Sequence, residues 1–260
     1  MTSSQSFSAG LIAGGMLDGT VNIWDPALIN SKHPQPQLAT ISRHTAAPVP
    51  GLAFNPHPTS SHLLASGGSD GDVFIMSLER PDAPNVFVPA PPPSTAKHQT
   101  EIGCVQWNTQ VAHIVATGDN GGNCIVWDLR QKKPWCELRD PSRCALTTVS
   151  WNPTEGLHLV TATSSDSEPV LKLWDLRSST TMPLATLSGH TGGVLSADWN
   201  PHDPRLLVSS GKDGRTILWD LFDMKACDEL PPDEPEPTAN VGGGMFGGVG
   251  RSQQKRYSVK

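Results

Sequence analysis

The chain has 260 residues, with 19 Lys and Arg against 25 Asp and Glu, a net charge of −6 and only 17% charged residues. That balance lacks the basic excess of a nucleic-acid clamp. Its 24 glycines and 24 prolines interrupt helices too often for a coiled coil or helical bundle, and point to short strands and turns. No apolar run approaches the ~18 residues of a membrane-spanning helix, and Met1 to Gln5 lacks the basic segment and apolar core of a secretory leader. The five cysteines (Cys104, Cys124, Cys136, Cys144, Cys227) contain no Cys-x-x-Cys. They read as free thiols in a reducing compartment, with neither a disulfide framework nor a zinc site, so a cytosolic chain is expected.

In chain order, the first predicted strands are Leu11 to Gly15, Val21 to Asp25 and Leu38 to Ser42. The second ends in Trp24-Asp25, and that ending recurs at Trp127-Asp128, Trp174-Asp175 and Trp219-Asp220, with a degenerate copy in which Met76 takes the Trp position. The intervals are 52, 51, 47 and 45 residues, close to the ~40–45 of a WD repeat. A second phrase precedes each of the later endings, as in Leu52-Ala53-Phe54-Asn55-Pro56, Val105-Gln106-Trp107-Asn108, Val149-Ser150-Trp151-Asn152-Pro153 and Ala197-Asp198-Trp199-Asn200-Pro201. A third lies between the two: Leu64 to Gly67, Val115 to Gly118, Val160 to Thr163 and Val208 to Gly211. Asp18-Gly19, Asp70-Gly71 and Asp213-Gly214 supply tight-hairpin chemistry, because glycine accepts a positive φ.

The expected fold is an all-β WD-repeat β-propeller, truncated, with about four complete blades plus partial blades at both ends, of an expected seven. The blades fall at about 8–43, 44–96, 97–139, 140–188 and 189–230. Residues 231–256, Pro-rich and acidic, then Gly-rich, then basic, read as a disordered inter-blade loop. Residues 257–260 (Tyr257-Ser258-Val259-Lys260) read as the start of a further blade. A chain that begins and ends in mid-blade is expected to be a fragment of a larger propeller protein.

Several constellations look like chemistry. His190, Asp213 and Trp219, with Ser209 or Ser210 between them, suggest a hydrolase triad. The same arrangement recurs as His44 with Asp70 and as His98, Asp119 and Trp127, whereas a catalytic triad occurs once in a domain. The set is therefore expected to be a structural, hydrogen-bonded tetrad, with Trp174, Asp18 and Trp24 occupying the matching positions of other blades. Gly67-Gly68-Ser69-Asp70-Gly71 matches a nucleophile elbow, but a strand follows where that motif needs a helix. Gly118 to Gly122 lacks the Lys-Ser/Thr of a phosphate loop. His33, His57, His62, His113, His158 and His202 show no metal-ligand spacing. No catalytic, cofactor-binding or metal site is expected, and no small-molecule substrate.

Trp127-Asp128-Leu129-Arg130 and Trp174-Asp175-Leu176-Arg177 resemble the signature of substrate receptors for cullin-RING ubiquitin ligases. Arg130 and Arg177 are the candidate partner contacts in that alternative reading. A more specific resemblance covers nearly the whole chain. Ser8 to Gly15 with Ile23-Trp24-Asp25-Pro26, Trp107-Asn108-Thr109-Gln110-Val111-Ala112-His113-Ile114, Ser165-Asp166 with Trp174-Asp175-Leu176-Arg177, and Leu206 to Asp213 are similar, in order, to blades of the large outer-cage subunit of the coat protein complex II (COPII) vesicle coat. The resemblance to these Sec-thirty-one-type transport proteins implies a non-enzymatic scaffold of endoplasmic-reticulum-to-Golgi vesicle transport. It implies a smaller WD-repeat outer-coat partner and an inner coat, contacted mostly through segments outside this chain, and other copies of itself at cage vertices. It further implies a cytoplasmic protein, peripheral at endoplasmic reticulum exit sites and COPII vesicles and attached to membrane only through the coat, with no nucleic acid and no cofactor.

Overall fold

The computed structural model describes residues 10–45, 47–90, 98–139 and 142–221. Five antiparallel sheets follow one another along the chain. The first contains β1 (Ile12–Gly15), β2 (Thr20–Trp24) and β3 (Gln37–Ser42). The second contains β4 (Gly51–Phe54), β5 (Leu63–Gly67), β6 (Val73–Ser77) and β7 (Asn85–Phe87). The third contains β8 (Ile102–Trp107), β9 (Ile114–Asp119), β10 (Asn123–Asp128) and β11 (Lys133–Arg139). The fourth contains β12 (Leu146–Trp151), β13 (His158–Thr163), β14 (Val170–Asp175) and β15 (Ala185–Ser188), and the fifth β16 (Val194–Trp199), β17 (Leu206–Gly211) and β18 (Thr216–Asp220). Each is an up-and-down meander, the arrangement of a partial WD-repeat propeller. The fourth strand expected for the last blade, the 231–256 loop, Cys227 and the 257–260 strand lie outside the described residues.

Among the described residues two short elements depart from the all-β reading, one of them a single 3-10 turn at Pro58–Ser60. A short helix, α1 (Pro26–Asn30), connects β2 to β3. Asp25 caps it, its Oδ1 accepting from the Ala27 N–H at 2.8 Å, and Pro26 occupies the first turn, where its missing N–H costs nothing. The dipeptide that ends the Trp-Asp strand therefore also starts a helix in this unit.

The sheets stack through four apolar layers. Val21, Ile23 and Ile41 of the first sheet meet Leu64 and Met76 of the second. Ala65 and Ile75 on the other face of the second sheet meet Trp107, Val115, Ile125 and Trp127 of the third. Ala116, Cys124, Val126 and Leu138 meet Val149, Trp151, Leu159 and Trp174. Val160, Leu171 and Leu187 then meet Ala197, Trp199, Leu207 and Trp219. An inner sheet is covered on both faces, which is why β9 is buried at all six positions and opens on the uninterrupted apolar run Ile114-Val115-Ala116. Among the described residues the fifth sheet is covered on one face, so β18 alternates, with Trp219 buried and Leu218 61% exposed.

The second phrase of each repeat stitches these layers in both directions. The indole N–H of Trp107 donates backwards to the Ala53 carbonyl at 2.9 Å, that of Trp151 to Gln106 at 3.3 Å and that of Trp199 to Ser150 at 3.2 Å. The adjacent asparagine reaches forwards: Asn55 Nδ2 donates to the Ala112 carbonyl at 2.8 Å, Asn108 to Gly156 at 2.7 Å and Asn152 to Pro204 at 3.1 Å. Each asparagine Oδ1 also accepts from the backbone two or three residues on, as from His57 and Gln110. Asn108 is almost wholly buried, so its loss would strand a carbonyl and two N–H groups. Asn108→Ala is expected to destabilise the chain by about 1–3 kcal/mol, read as a lower melting temperature and urea midpoint with an unchanged far-ultraviolet spectrum.

Candidate functional site

The residues that resemble a catalytic triad come together three times, in one pattern. In the fifth sheet His190 Nδ1 lies 3.1 Å from both carboxylate oxygens of Asp213, and its Nε2 lies 2.8 Å from Ser209 Oγ, which also accepts from Trp219 Nε1 at 2.8 Å. In the third sheet His98 Nδ1 meets Asp119 Oδ2 at 2.8 Å, its Nε2 meets Thr117 Oγ1 at 2.7 Å, and Trp127 Nε1 donates to the same hydroxyl at 2.8 Å. In the second sheet His44 bonds Asp70 at 3.0 Å and Ser66 Oγ at 2.9 Å. There Met76 replaces the tryptophan, and Phe74 packs its edge on the imidazole at 4.9 Å. All three histidines are buried.

The donors and acceptors run in one direction. An ionised carboxylate only accepts, so Nδ1 carries a proton, and an indole only donates, so the hydroxyl accepts from it and has its own proton for Nε2. Both imidazole nitrogens are thereby occupied. Each carboxylate also holds backbone: Asp213 accepts from the Thr191 N–H at 2.9 Å and the Arg215 N–H at 3.1 Å, and Asp70 from Thr45 at 2.9 Å and Asp72 at 3.0 Å. The Thr191 N–H is the largest influence on Asp213, whose carboxyl is held down at about 2, with the Arg215 N–H and His190 adding to the effect. Burial pushes the Asp70 and Asp119 carboxyls up, but the hydrogen bonds from His44 and His98 and from neighbouring backbone outweigh it and hold both below the usual carboxylate range.

The three sets are not built alike. Asp70 and Asp213 stand in the hairpin turn and reach back across a glycine. A Cβ on Gly68 would sit 2.3 Å from His44 Nδ1, and one on Gly211 2.5 Å from His190 Nδ1, so these two positions have to be bare. In the third sheet the residue at that position is Asp119 itself, the last of β9. Its carboxylate fills the space directly, while the turn position holds Gly121. The sequence signal for this was the His-to-Asp separation, 21 residues here against 26 and 23 in the other sets.

Other expected members are placed apart. Trp174 Nε1 donates to Thr161 Oγ1 at 2.9 Å, but no histidine completes the set in the fourth sheet among the described residues. Asp18 Oδ1 accepts from the Thr20 backbone and hydroxyl at 3.0 and 2.7 Å, closing its own hairpin, and the partly exposed Trp24 has no tetrad around it among the described residues. The hydroxyls Ser66, Thr117 and Thr161 are the functional members that sequence reasoning missed. Their signal is the one hydroxyl shared by Ala65-Ser66-Gly67, Ala116-Thr117-Gly118 and Val160-Thr161-Ala162.

The two Trp-Asp-Leu-Arg boxes also diverge. Arg177 Nε bonds Asp175 Oδ1 at 3.2 Å and its Nη2 lies 3.3 Å from His158 Nε2. Arg130 has no carboxylate within ion-pair distance among the described residues, and Asp128 spends its Oδ1 on the backbone N–H groups of Arg130 and Gln131. Burial pushes the thiols of Cys104 and Cys136 up to about 12 and that of Cys124 up as well, which leaves them poor nucleophiles. Among the described residues no group of three His, Cys, Asp or Glu side chains converges to hold a metal ion.

The profile of the WD domain, G-beta repeat, matches residues 35–76 and 181–220. By sequence the chain is 37% identical over 227 residues to "Protein transport protein SEC31" of Dictyostelium discoideum, a match covering 84% of this chain and 16% of that protein. It is 42% identical over 218 residues to "Protein transport protein sec31" of Emericella nidulans, with the same coverage. With "Protein transport protein sec31" of Aspergillus oryzae it shares 39% identity over 231 residues, covering 88% of this chain and 17% of the relative. The chain thus spans about a sixth of the length of the curated relatives it matches. Among solved structures, a chain of "COPII on membranes, outer coat vertex" superposes with a TM-score of 0.69 at 30% identity, covering 82% of this chain and 56% of that one. A chain of "The structure of the COPII coat assembled on membranes" gives the same score and identity, with 31% of that chain covered.

Two predictions test the polar sets. His190→Ala and Thr117→Val each leave buried partners unsatisfied and are expected to lower stability by about 1–3 kcal/mol, measured by thermal and urea melting. The native carboxylates stay ionised at a pH where those of the unfolded chain have begun to protonate. The unfolded chain therefore binds more protons, and stability is expected to fall from about pH 5 toward pH 2, where the Asp213 carboxyl itself titrates. Asp213→Asn should lower the melting temperature above about pH 6, where the ionised carboxylate contributes in full, and flatten the fall below pH 5, so that the difference from the parent chain shrinks toward pH 2. By repeat, sheet order and kinship, the chain is a WD-repeat protein of the kind found in the Sec31 transport proteins.

Proposed function

We propose that the chain acts as a non-enzymatic propeller scaffold in the COPII outer coat, in endoplasmic-reticulum-to-Golgi transport. The observation that carries this reading is the match along most of the chain, in sequence to Sec31 transport proteins and in three dimensions to a chain of the outer coat vertex. The polar sets support it, because their imidazole nitrogens are committed to a carboxylate and a hydroxyl and their carboxylates to backbone, an arrangement suited to holding loops. In this role the smaller WD-repeat subunit and the inner coat are partners of the assembled protein, and copies of the propeller meet at vertices through contacts that gain strength from multivalency across the lattice. The tetrad residues His44, Asp70, His98, Asp119, His190 and Asp213 then serve to fix the loops that present such contacts. The site of action is the cytoplasmic side of endoplasmic reticulum exit sites, with the membrane reached only through the coat.

The test is flotation of the tagged chain with synthetic liposomes carrying a reconstituted COPII coat. The chain is expected to float with fully coated liposomes and to remain in the load fraction with bare ones. Equal recovery with bare and coated liposomes, or recovery with neither, would overturn the assignment.

A further inference from the structure

The apolar layers differ where they open at the rim of the propeller. Between the third and fourth sheets Leu138 of β11 is buried, and between the fourth and fifth so are Ala185 and Leu187 of β15. Among the described residues, nothing closes the mouth between the second and third sheets. Its outer strand, β7, has only three residues, and Phe87 and Val88 remain 40% and 39% exposed. Phe87 pairs across from Ile75, so it lies on the face that looks toward the third sheet. The result is a groove of about 730 Å³, with Leu63 and Leu129 packed on the apolar layer beneath and Arg130 and Lys132 on the opposite wall.

Among the described residues no carboxylate compensates the charge on that wall. Arg177, at the same place in the next repeat, is neutralised by Asp175 at 3.2 Å. Neither the Arg130 guanidinium nor the Lys132 ammonium has a carboxylate within ion-pair distance among the described residues. Lys132 also adopts a φ of 52°, a left-handed conformation uncommon for a residue with a side chain, at the turn leading into β11. Two cations thus stand beside an exposed phenylalanine on a chain whose net charge is −6.

We propose that this groove is a docking site for an extended acidic peptide carrying one bulky apolar side chain. The apolar side chain enters the mouth against Phe87, Leu63 and Leu129, which withdraws apolar surface from water. Flanking Asp or Glu side chains pair with Arg130, whose planar fork suits a carboxylate, and with Lys132. β7 is the outermost strand of its sheet, so its outward N–H and C=O groups can align the peptide backbone. The inference stands apart from the coat assignment, since it rests on this groove alone.

The test is selection of a phage-displayed random dodecapeptide library on the immobilised full-length chain. Enriched peptides are expected to be acidic and to carry a Leu, Ile or Phe. Their binding should fall at least tenfold on the Arg130→Glu/Lys132→Glu variant, at least fivefold on Phe87→Ser, and progressively as NaCl is raised. Arg177→Ala should bind them as the parent chain does. Melting curves matching the parent show that each variant is folded, and Arg130→Gln/Lys132→Gln is used if the charge reversal fails that check. No enrichment, enrichment without acidic residues, or equal binding to the charge variant would overturn the proposal. Selection of uncharged proline-rich peptides, like this chain's own Pro91-Pro92-Pro93, would overturn it in favour of a mouth filled from within.

Discussion

The packing of each sheet on the next is the contact from which the rest of the architecture follows. A strand such as β9, buried at every position, presents apolar side chains on both faces, and a lone sheet cannot cover both. The sheet is completed only when a neighbour lies on each side. Tryptophan is the side chain best suited to fill such a layer, but its indole N–H must not be left in the apolar interior without an acceptor. Trp107, Trp151 and Trp199 meet that condition by donating to a carbonyl of the preceding sheet. The asparagine beside each of the first two donates to the following one. One dipeptide therefore ties three successive sheets, and removing an indole here would cost about 3–5 kcal/mol.

The polar sets solve a different problem. Apolar layers are non-directional and permit sliding, whereas a carboxylate, an imidazole, a hydroxyl and an indole in fixed order permit one arrangement. The order is enforced by what each group can do: the indole donates, the ionised carboxylate accepts, and the two groups between them do both. Because the carboxylates also accept from backbone N–H groups of the hairpin and of the loop that leads into the first strand of the same sheet, the sets fix those loops relative to the sheet. The third sheet shows that this geometry tolerates rewiring. Asp119 supplies from the end of β9 the carboxylate that Asp70 and Asp213 supply from the turn. The requirement is a carboxylate within reach of Nδ1, not a residue at one sequence position.

With the interior committed in this way, differences among repeats appear at the rim. The same four letters, Trp-Asp-Leu-Arg, end in a neutralised guanidinium at Arg177 and, among the described residues, an unpaired one at Arg130. The difference follows from what each aspartate is given to hold. Asp128 is buried and takes both the Arg130 and Gln131 N–H groups on one oxygen, while the less buried Asp175 takes only the Arg177 N–H there and still reaches its guanidinium. Repetition builds the scaffold, and the local failure of repetition leaves a charged, partly apolar groove.

Much of this was legible in the amino-acid sequence, for reasons that are local. Alternation of apolar side chains, the Trp-Asp endings and the Asp-Gly turns act within a few residues, and they place the strands, their order and the hairpins, where Gly19, Gly71 and Gly214 all take positive φ. The recurrence of His and Asp was enough to bring His44, His98 and His190 to their carboxylates. The sequence also carried an Asp-Pro helix start at Asp25-Pro26 that a strand-by-strand reading passed over. What only the tertiary structure decided were contacts between segments some 45 to 57 residues apart, such as Asn55 with Ala112 and Trp151 with Gln106, and, among the described residues, that no tetrad forms at Asp18 and Trp24 and which of two identical boxes pairs its arginine with its aspartate. The physical reason is that strand pattern follows from the backbone's own period. The partner of a long polar side chain depends instead on which other sheet the packing brings within three ångströms of it.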